Sequence, residues 1–376
     1  MANTLSIIQD RLLAKTLMSF RNSAPWLMSA NRNYENEAKS IGTTVDIPRS
    51  SIKVATDVTP SGNRSDTLPS STRTMVQLTL DQWKKTNFSL TDKENGEINA
   101  GRDFIPSESE DAIAGLVEVV EDNIASNYVY SYQFTGTAAT TPFASNATAS
   151  IQANKILNDA KAGKANRRFI MDTSAEANAL ALSTFADAEK TMENGVKIDA
   201  ALGRKYGFFN QASTNVQTHT LAGAGTPLVD DAATAIGATT LHMDGLTTKP
   251  EQGDLFTISG DTQQYVVVSS SALVGTDSDV VIQPPLAVAV ADNAAITFIA
   301  THTANCAFHK NALTFANRPV SAMNGNGGNY RLMTDPVTGI TVRLGVDDAY
   351  KATIWEFDIL YGSAVPQAEG MVRVLG

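Results

Sequence analysis

The sequence predicts an α+β fold that carries an all-β insert, and three observations point to it. Residues 107–132 repeat apolar side chains at three- and four-residue steps for longer than an average globular helix. Residues 148–215 alternate helix-like and strand-like patterns. Residues 216–302 hold only short β-branched or aromatic runs separated by Gly, Pro, Asp and Ser. With 376 residues and 43% apolar content, the chain can bury more than one core.

Taken in order, the first forty residues mix short apolar clusters (Leu5, Ile7, Ile8, Leu12, Leu13) with polar stretches, as an arm with one amphipathic helix would. Val45–Pro48 and Ile52–Ala55 read as short strand pieces. Val76, Leu78 and Leu80 alternate with Gln77, Thr79 and Asp81, the period of a half-buried strand. The polar stretch between them, ATDVTPSGNRSDTLPSST, is too long for a loop inside a compact domain and reads as the tip of a two-stranded projection. Pro106, Ser107 and Glu110 form a capping box that starts the long helix, whose apolar face is Ile113, Leu116, Val117, Val120, Ile124 and Tyr128. A helix around 151–162, the buried strand RRFIMD, and a second capping box at Thr173 and Glu176 predict an α/β layer.

The runs ATTLHM, DLFTIS, QYVVV, DVVIQ and AAITFI then predict a small sandwich or barrel. After it come a hairpin through DPVTGITV and a strand in which Trp355, Phe357, Ile359 and Tyr361 alternate with Glu356 and Asp358. An edge-like strand, MVRVLG, closes the chain.

Charge and cysteine usage bound the function. The single cysteine excludes an internal disulfide framework and places synthesis in a reducing compartment. Asp10, Arg11 and Lys15 interrupt the apolar N-terminus, and Asp292 and Asn293 break LAVAVADNAAITFIA, so neither an export signal nor a membrane span is expected. Of the net charge of −10, nearly all falls on residues 216–302, where nine acids face Lys249 alone. That segment favours solubility and disfavours nucleic acid, and the near-neutral remainder lacks the basic stripe of a specific DNA reader.

Chemistry-bearing clusters are few. Cys306 and His309 stand three apart in NCAFHKNALTFANRP, an offset that puts them on opposite faces of a strand and on one face only of a helix. His219, His242 and His302 stand singly along the chain, against the four ligands of a structural zinc site. The glycine-rich AGAGTP and NGNGGN lack the context of a phosphate loop and read as turns. The acid pairs Asp230/Asp231 and Asp347/Asp348 read as solvated turns. No enzyme activity, cofactor or metal is expected.

This order of parts resembles the major capsid (coat) protein of tailed bacteriophages, the Hong Kong 97-type fold. GDLFTISG with QQYVVV, NCAFHKNALTFANRPV and YGSAVPQAEGMVRVLG resemble coat proteins of short-tailed lambdoid phages, whose fold carries an inserted β-barrel domain. The resemblance implies an N-terminal arm (1–41), an extended loop as a β-hairpin (42–95), a peripheral domain (96–147) with the spine helix 107–132, and an axial α/β domain (148–215). It further implies an inserted barrel (216–302) and a return to the axial and peripheral domains (303–376), with a helix starting at about Asn311.

Its implied partners are copies of itself in the hexamers and pentamers of an icosahedral shell, a scaffolding protein, a portal, a decoration protein, and packaged double-stranded DNA held non-specifically. The location is the virion, after assembly in the bacterial cytoplasm. On the extended loop, Arg49, Lys53, Arg64, Asp66, Arg73, Lys84 and Lys85 are the candidate inter-subunit assembly residues: single exposed pairs are worth roughly 0–1 kcal/mol, but many repeats set a register. The competing readings are a cellular nanocompartment shell, a phage adhesin that holds sugar on the β domain, against which its few aromatics (Phe256, Tyr265, Phe298) count, and a hydrolase for which the sequence offers no nucleophile motif.

Overall fold

The computed structural model describes residues 12–14, 16, 18, 24–34, 44–49, 74–94, 107–186, 202–231, 233–320, 329–334 and 340–376. The long helix runs over Ser107–Ala125 and ends in a 3-10 turn at Ser126–Tyr130. Its 19 residues span about 28 Å, shorter than the predicted rod. The Asn127 amide stops it by donating to the carbonyls of Asn123 and Ile124, each at 3.1 Å, in place of backbone donors. Pro106, the predicted start signal, lies outside the described residues.

The apolar stripe Ile113, Leu116, Val117, Val120 and Ile124 is buried in one cluster with a five-stranded antiparallel sheet. The centre of that sheet is the strand Ala352–Ala364. Gln82–Thr91 pairs along one edge, and Thr341–Ala349 followed by Thr314–Arg318 along the other. Asn329–Thr334 pairs outside Thr341–Ala349, so the strands of the predicted DPVTGITV hairpin are present, while its tip, 335–339, lies outside the described residues. The alternation holds as read: Trp355, Phe357, Ile359 and Tyr361 are all buried.

Thr44–Arg49 pairs antiparallel with Thr74–Thr79, from Thr44 opposite Thr79 to Arg49 opposite Thr74. Val45, Ile47, Leu78 and Leu80 bury their apolar face on Ala316 and Ala364. Gly362 permits this approach, because a Cβ there would collide with the backbone carbonyl of Thr79. Ile52–Ala55 and the rest of 50–73 lie outside the described residues. Within the range 42–95 expected to form one hairpin, Gln82–Thr91 instead belongs to the five-stranded sheet.

A mixed seven-stranded sheet forms the second body, in the order Gln133–Thr135, Met371–Leu375, His302–His309, Arg167–Met171, Phe208–Ala212 and Arg204–Lys205, with Thr218–His219 paired to the start of His302–His309. Helices Thr148–Asp159 and Thr173–Ala181 pack on it through Ala153, Leu157, Ala175 and Ala179. The second helix is capped by Asp172, which accepts from the amides of Ser174 and Ala175 at 3.0 and 3.2 Å, rather than by Thr173. Two further expectations change. Met371–Leu375 is an inner strand, buried throughout, because its one charged side chain turns inward. The helix implied from Asn311 is a 3-10 turn, Lys310–Ala312, followed by the strand Thr314–Arg318.

The acidic segment folds as a six-stranded sheet in the order Ile296–Phe298, Leu255–Ile258, Gln264–Ser270, Ser278–Gln283, Thr240–Thr248 and Ala224–Val229. The last strand meets the segment leading into the first through Val229 N to Ala294 O at 3.0 Å and Asn293 N to Val229 O at 2.8 Å, so the sheet closes around Leu241, Met243, Phe256, Tyr265, Val267 and Val280. All five predicted runs are strands. AGAGTP, residues 222–227, is not the predicted turn: from Ala224 it enters the strand Ala224–Val229, whose Gly225 packs against the backbone of Gly245.

In the arm, the short helix Pro25–Ser29 stacks Trp26 on Phe308 with ring centroids 6.0 Å apart. Its first amides, Trp26 N and Leu27 N, donate to the Glu121 carboxylate of the long helix at 3.0 and 2.8 Å. Burial raises the Glu121 pKa from 4.5 to about 7 in spite of those donors. A raised folded-state value means a stability contribution that is complete below the ordinary 4.5 and lost as pH rises through 7. The urea midpoint is expected to carry a falling component between pH 5 and 8 that Glu121→Gln removes. An unchanged pH slope in that variant contradicts this.

Candidate functional site

The Cys306/His309 pair resolves first. Both lie on His302–His309 with side chains on opposite faces. Cys306 is fully buried in the cluster shared by Trp26 and Phe308, and burial pushes its thiol up to about 12. A protonated thiol sealed in the core is neither nucleophile nor ligand. His309 accepts from the Asn311 amide at 3.3 Å, closing the 3-10 turn.

Of the seven assembly candidates, Lys53, Arg64, Asp66 and Arg73 lie outside the described residues. Arg49, at the end of the hairpin strand, forms an ion pair with Glu369 of the same chain. Lys84 and Lys85 sit on Gln82–Thr91 in the five-stranded sheet instead of on the hairpin, and Lys85 pairs with Glu356 at 2.8 Å. Arg49 and Lys85 thus have partners within the chain, which the sequence could not reveal because Glu369 and Glu356 are remote along it.

The outer face of the same sheet carries an arrangement that sequence reading missed. Arg343 donates from Nε to Asp358 Oδ1 at 2.8 Å, and Trp83 Nε1 donates to Asp358 Oδ2 at 2.9 Å. The guanidinium lies over the rings of Tyr330 and Trp83, 4.9 and 5.9 Å from their centroids. Asp358 is 2% exposed, whereas Trp83 is 61% and Leu332 44% exposed. A solvent-open Trp83 and Leu332, backed by the largely covered Arg343, have the composition of the centre of a protein interface.

A second, buried arrangement joins the closed sheet to the seven-stranded sheet. His219 sits between Tyr128 Oη, 3.0 Å from Nδ1, and Asp254 Oδ1, 2.8 Å from Nε2. Asp254 also accepts from the amides of Ala222, Gly223 and Glu251 at 3.3, 2.9 and 3.0 Å. Arg373 donates to the carbonyls of Gly253, Tyr128 and Ser131 at 2.9, 2.9 and 3.2 Å and lies 4.8 Å over the Tyr128 ring. His302 completes the group, its ring 5.4 Å from that of His219, so these two histidines are not solitary. The available sequence signal was Arg373 itself, one charge in the middle of an apolar strand.

On the outer surface of the closed sheet, Asp230, His242 and Asp277 bring one ligand-type atom each within 4.8 Å of one another. Asp279 holds His242 Nδ1 at 2.7 Å and, with Asp230 and Asp231, raises its pKa. Phe256 and Tyr265 are core residues, so the closed sheet offers no pair of open rings for stacking sugar. Among the described residues, no helix is long and apolar enough to cross a membrane.

No protein-family model and no curated protein matches the chain. Solved structures do. A chain of Mycobacterium phage Che8 shares the fold with TM-score 0.50 and 13% identity, over 94% of this chain and 91% of that one. Similar chains come from the capsid structure of the Cyanophage P-SCSP1u (TM-score 0.48, 11% identity, 89% and 84% covered) and from the virus-like particle from Pyrococcus furiosus (0.45, 10%, 97% and 98%). The likeness to phage proteins read from the sequence is thus met, at the level of the fold, by a chain of a phage.

Proposed function

We propose that this chain is the major capsid protein of a tailed double-stranded DNA bacteriophage, a subunit that tiles an icosahedral head shell and has a structural role without catalysis. The observation that carries the reading is a fold shared with a chain of Mycobacterium phage Che8 over more than nine-tenths of both chains. The parts support a Hong Kong 97-type arrangement. The long helix and five-stranded sheet serve as spine and peripheral domain, the seven-stranded sheet and its helices as axial domain, and the closed six-stranded sheet as an inserted barrel. The hairpin with base Thr44–Arg49 and Thr74–Thr79 is the extended loop that reaches a neighbour.

Shell formation follows from heterologous contacts that close by rotation, each modest and many times repeated. Arg64 and Asp66 on segment 50–73, and the open Trp83/Arg343 face, are the surfaces assigned to those contacts. Scaffolding, portal and decoration proteins are the further partners of this tiling, and packaged DNA would meet its wall non-specifically. Charge reversal at Arg64 or Asp66 is expected to cut particle yield by at least tenfold, with the far-ultraviolet circular dichroism of the monomer unchanged. Normal particles from both variants, read by size-exclusion chromatography, would remove the hairpin from the assembly contacts.

A further inference from the structure

The closed sheet hangs on two short strands that pair with each other, His219 opposite His302 and Thr218 opposite Thr303. Beneath that stalk, Asp254, Arg373 and His302 are each at most 2% exposed, and His219 and Tyr128 are nearly so. Three sequence regions supply this group: the 3-10 turn after the long helix, the insert with its stalk, and the last strand of the chain.

The hydrogen bonds fix the protonation of His302. Its Nδ1 faces the Ala300 carbonyl at 2.8 Å, and a carbonyl can only accept, so Nδ1 carries the proton. Nε2 faces Arg373 Nη1 at 3.4 Å, and a guanidinium can only donate, so Nε2 presents its lone pair. A second proton on Nε2 would set donor against donor and a new positive charge against Arg373. His219 differs. Asp254 accepts from its Nε2, while the Tyr128 hydroxyl at Nδ1 can either donate or accept, so a second proton there meets no donor conflict.

We propose that His302 and Arg373 form an acid-released lock at the base of the inserted sheet: Arg373 Nη1, which faces His302 Nε2, also holds the Gly253 carbonyl of the insert, and protonation of His302 Nε2 displaces it and loosens the insert on its stalk. The lock belongs to the single chain and is independent of the shell reading. The charged and titratable groups acting on His302 are Arg373 from the last strand, His219 from the partner stalk strand and Asp254 from the insert, while Tyr128 from the 3-10 turn and Cys306 from the strand of His302 act on Arg373. Of these, Asp254 alone favours the imidazolium, and it already holds His219.

Burial, with Arg373 and His219 adding to it, lowers the His302 pKa from 6.5 to about 4, against the Ala300 carbonyl, which favours the charged ring. A depressed folded-state value means that the lock is fully engaged above 6.5 and is lost as pH falls toward 4.

Hydrogen exchange followed by mass spectrometry, corrected for the intrinsic pH dependence of amide exchange, tests the lock on the whole chain. Between pH 7 and pH 5, amides of 218–223 and 251–256 are expected to lose protection by about 20-fold, while 344–359 keep theirs. His302→Gln, whose amide donates to Ala300 and whose carbonyl accepts from Arg373, should hold the same protection at both pH values. His219→Gln should keep the wild-type acid response. Wild-type stalk amides that hold their protection at pH 5, or an acid loss that persists in His302→Gln, would overturn the lock. If His302→Gln does not fold, C2–H exchange of the wild-type histidines decides: a His302 midpoint well below that of His242 supports it, and one at or above His242 overturns it.

Discussion

Phe357→Ala is expected to cost about 3–5 kcal/mol of folding stability, enough to leave little folded subunit for assembly. Phe357 is wholly buried at the middle of the central strand, where it pairs across to Leu344 on one side and Thr86 on the other. Its ring lies 6.3 Å from Phe88, which in turn stacks on Trp355 at 6.0 Å. The same cluster takes in the long helix through Leu116 and Val120. Truncation therefore opens a cavity whose walls belong to a sheet and a helix fixed by other contacts, so collapse recovers little of the loss. Urea unfolding of the variant measures it. Tyr350→Ala, at an 89% exposed turn, serves as the control and should stay within about 0.5 kcal/mol of wild type.

Asp254→Ala is expected to cost a similar amount, about 3–5 kcal/mol, by a different route. The carboxylate is wholly buried, and its removal strands three amide donors and the His219 ring together. Burial works against its charge, but the His219 ring and the amides of Glu251, Gly223 and Ala222 outweigh burial and hold its pKa below the ordinary 3.8. The sign follows: a depressed carboxylate contributes stability above 3.8 and loses it as pH falls through its folded-state value. The variant should thus be weaker at neutral pH and show a shallower acid limb in urea melts taken from pH 6 to pH 3. A full-strength variant, or one with an unchanged acid limb, contradicts this role.

These two residues show where sequence reading succeeds and where it stops. Phe357 was legible, because a strand with one buried face alternates, and Trp355, Phe357, Ile359 and Tyr361 are all buried, although Asp358 between them is covered too, on the opposite face beneath Arg343 and Trp83. The helix face from Ile113 to Ile124 and the β runs of the acidic segment were legible for the same reason. Asp254 was not, since a lone acid in GDLF reads as turn chemistry until His219, thirty-five positions earlier, is brought to it. Arg373 misled the reading of the last strand, because a charge in MVRVL signals an exposed edge unless carbonyls from Gly253, Tyr128 and Ser131 are waiting for it. Lys84 and Lys85 were placed on the hairpin because nothing local distinguishes a hairpin strand from the sheet strand that follows it. Periodicity reports a face and burial, while contacts between remote segments set the functional geometry.

Electron cryo-microscopy of the purified, concentrated chain measures the central claim most directly. The account predicts closed icosahedral particles in which residues 50–73 of each subunit lie on a neighbouring copy. A compact monomer at every concentration, with 50–73 packed against its own body, contradicts it.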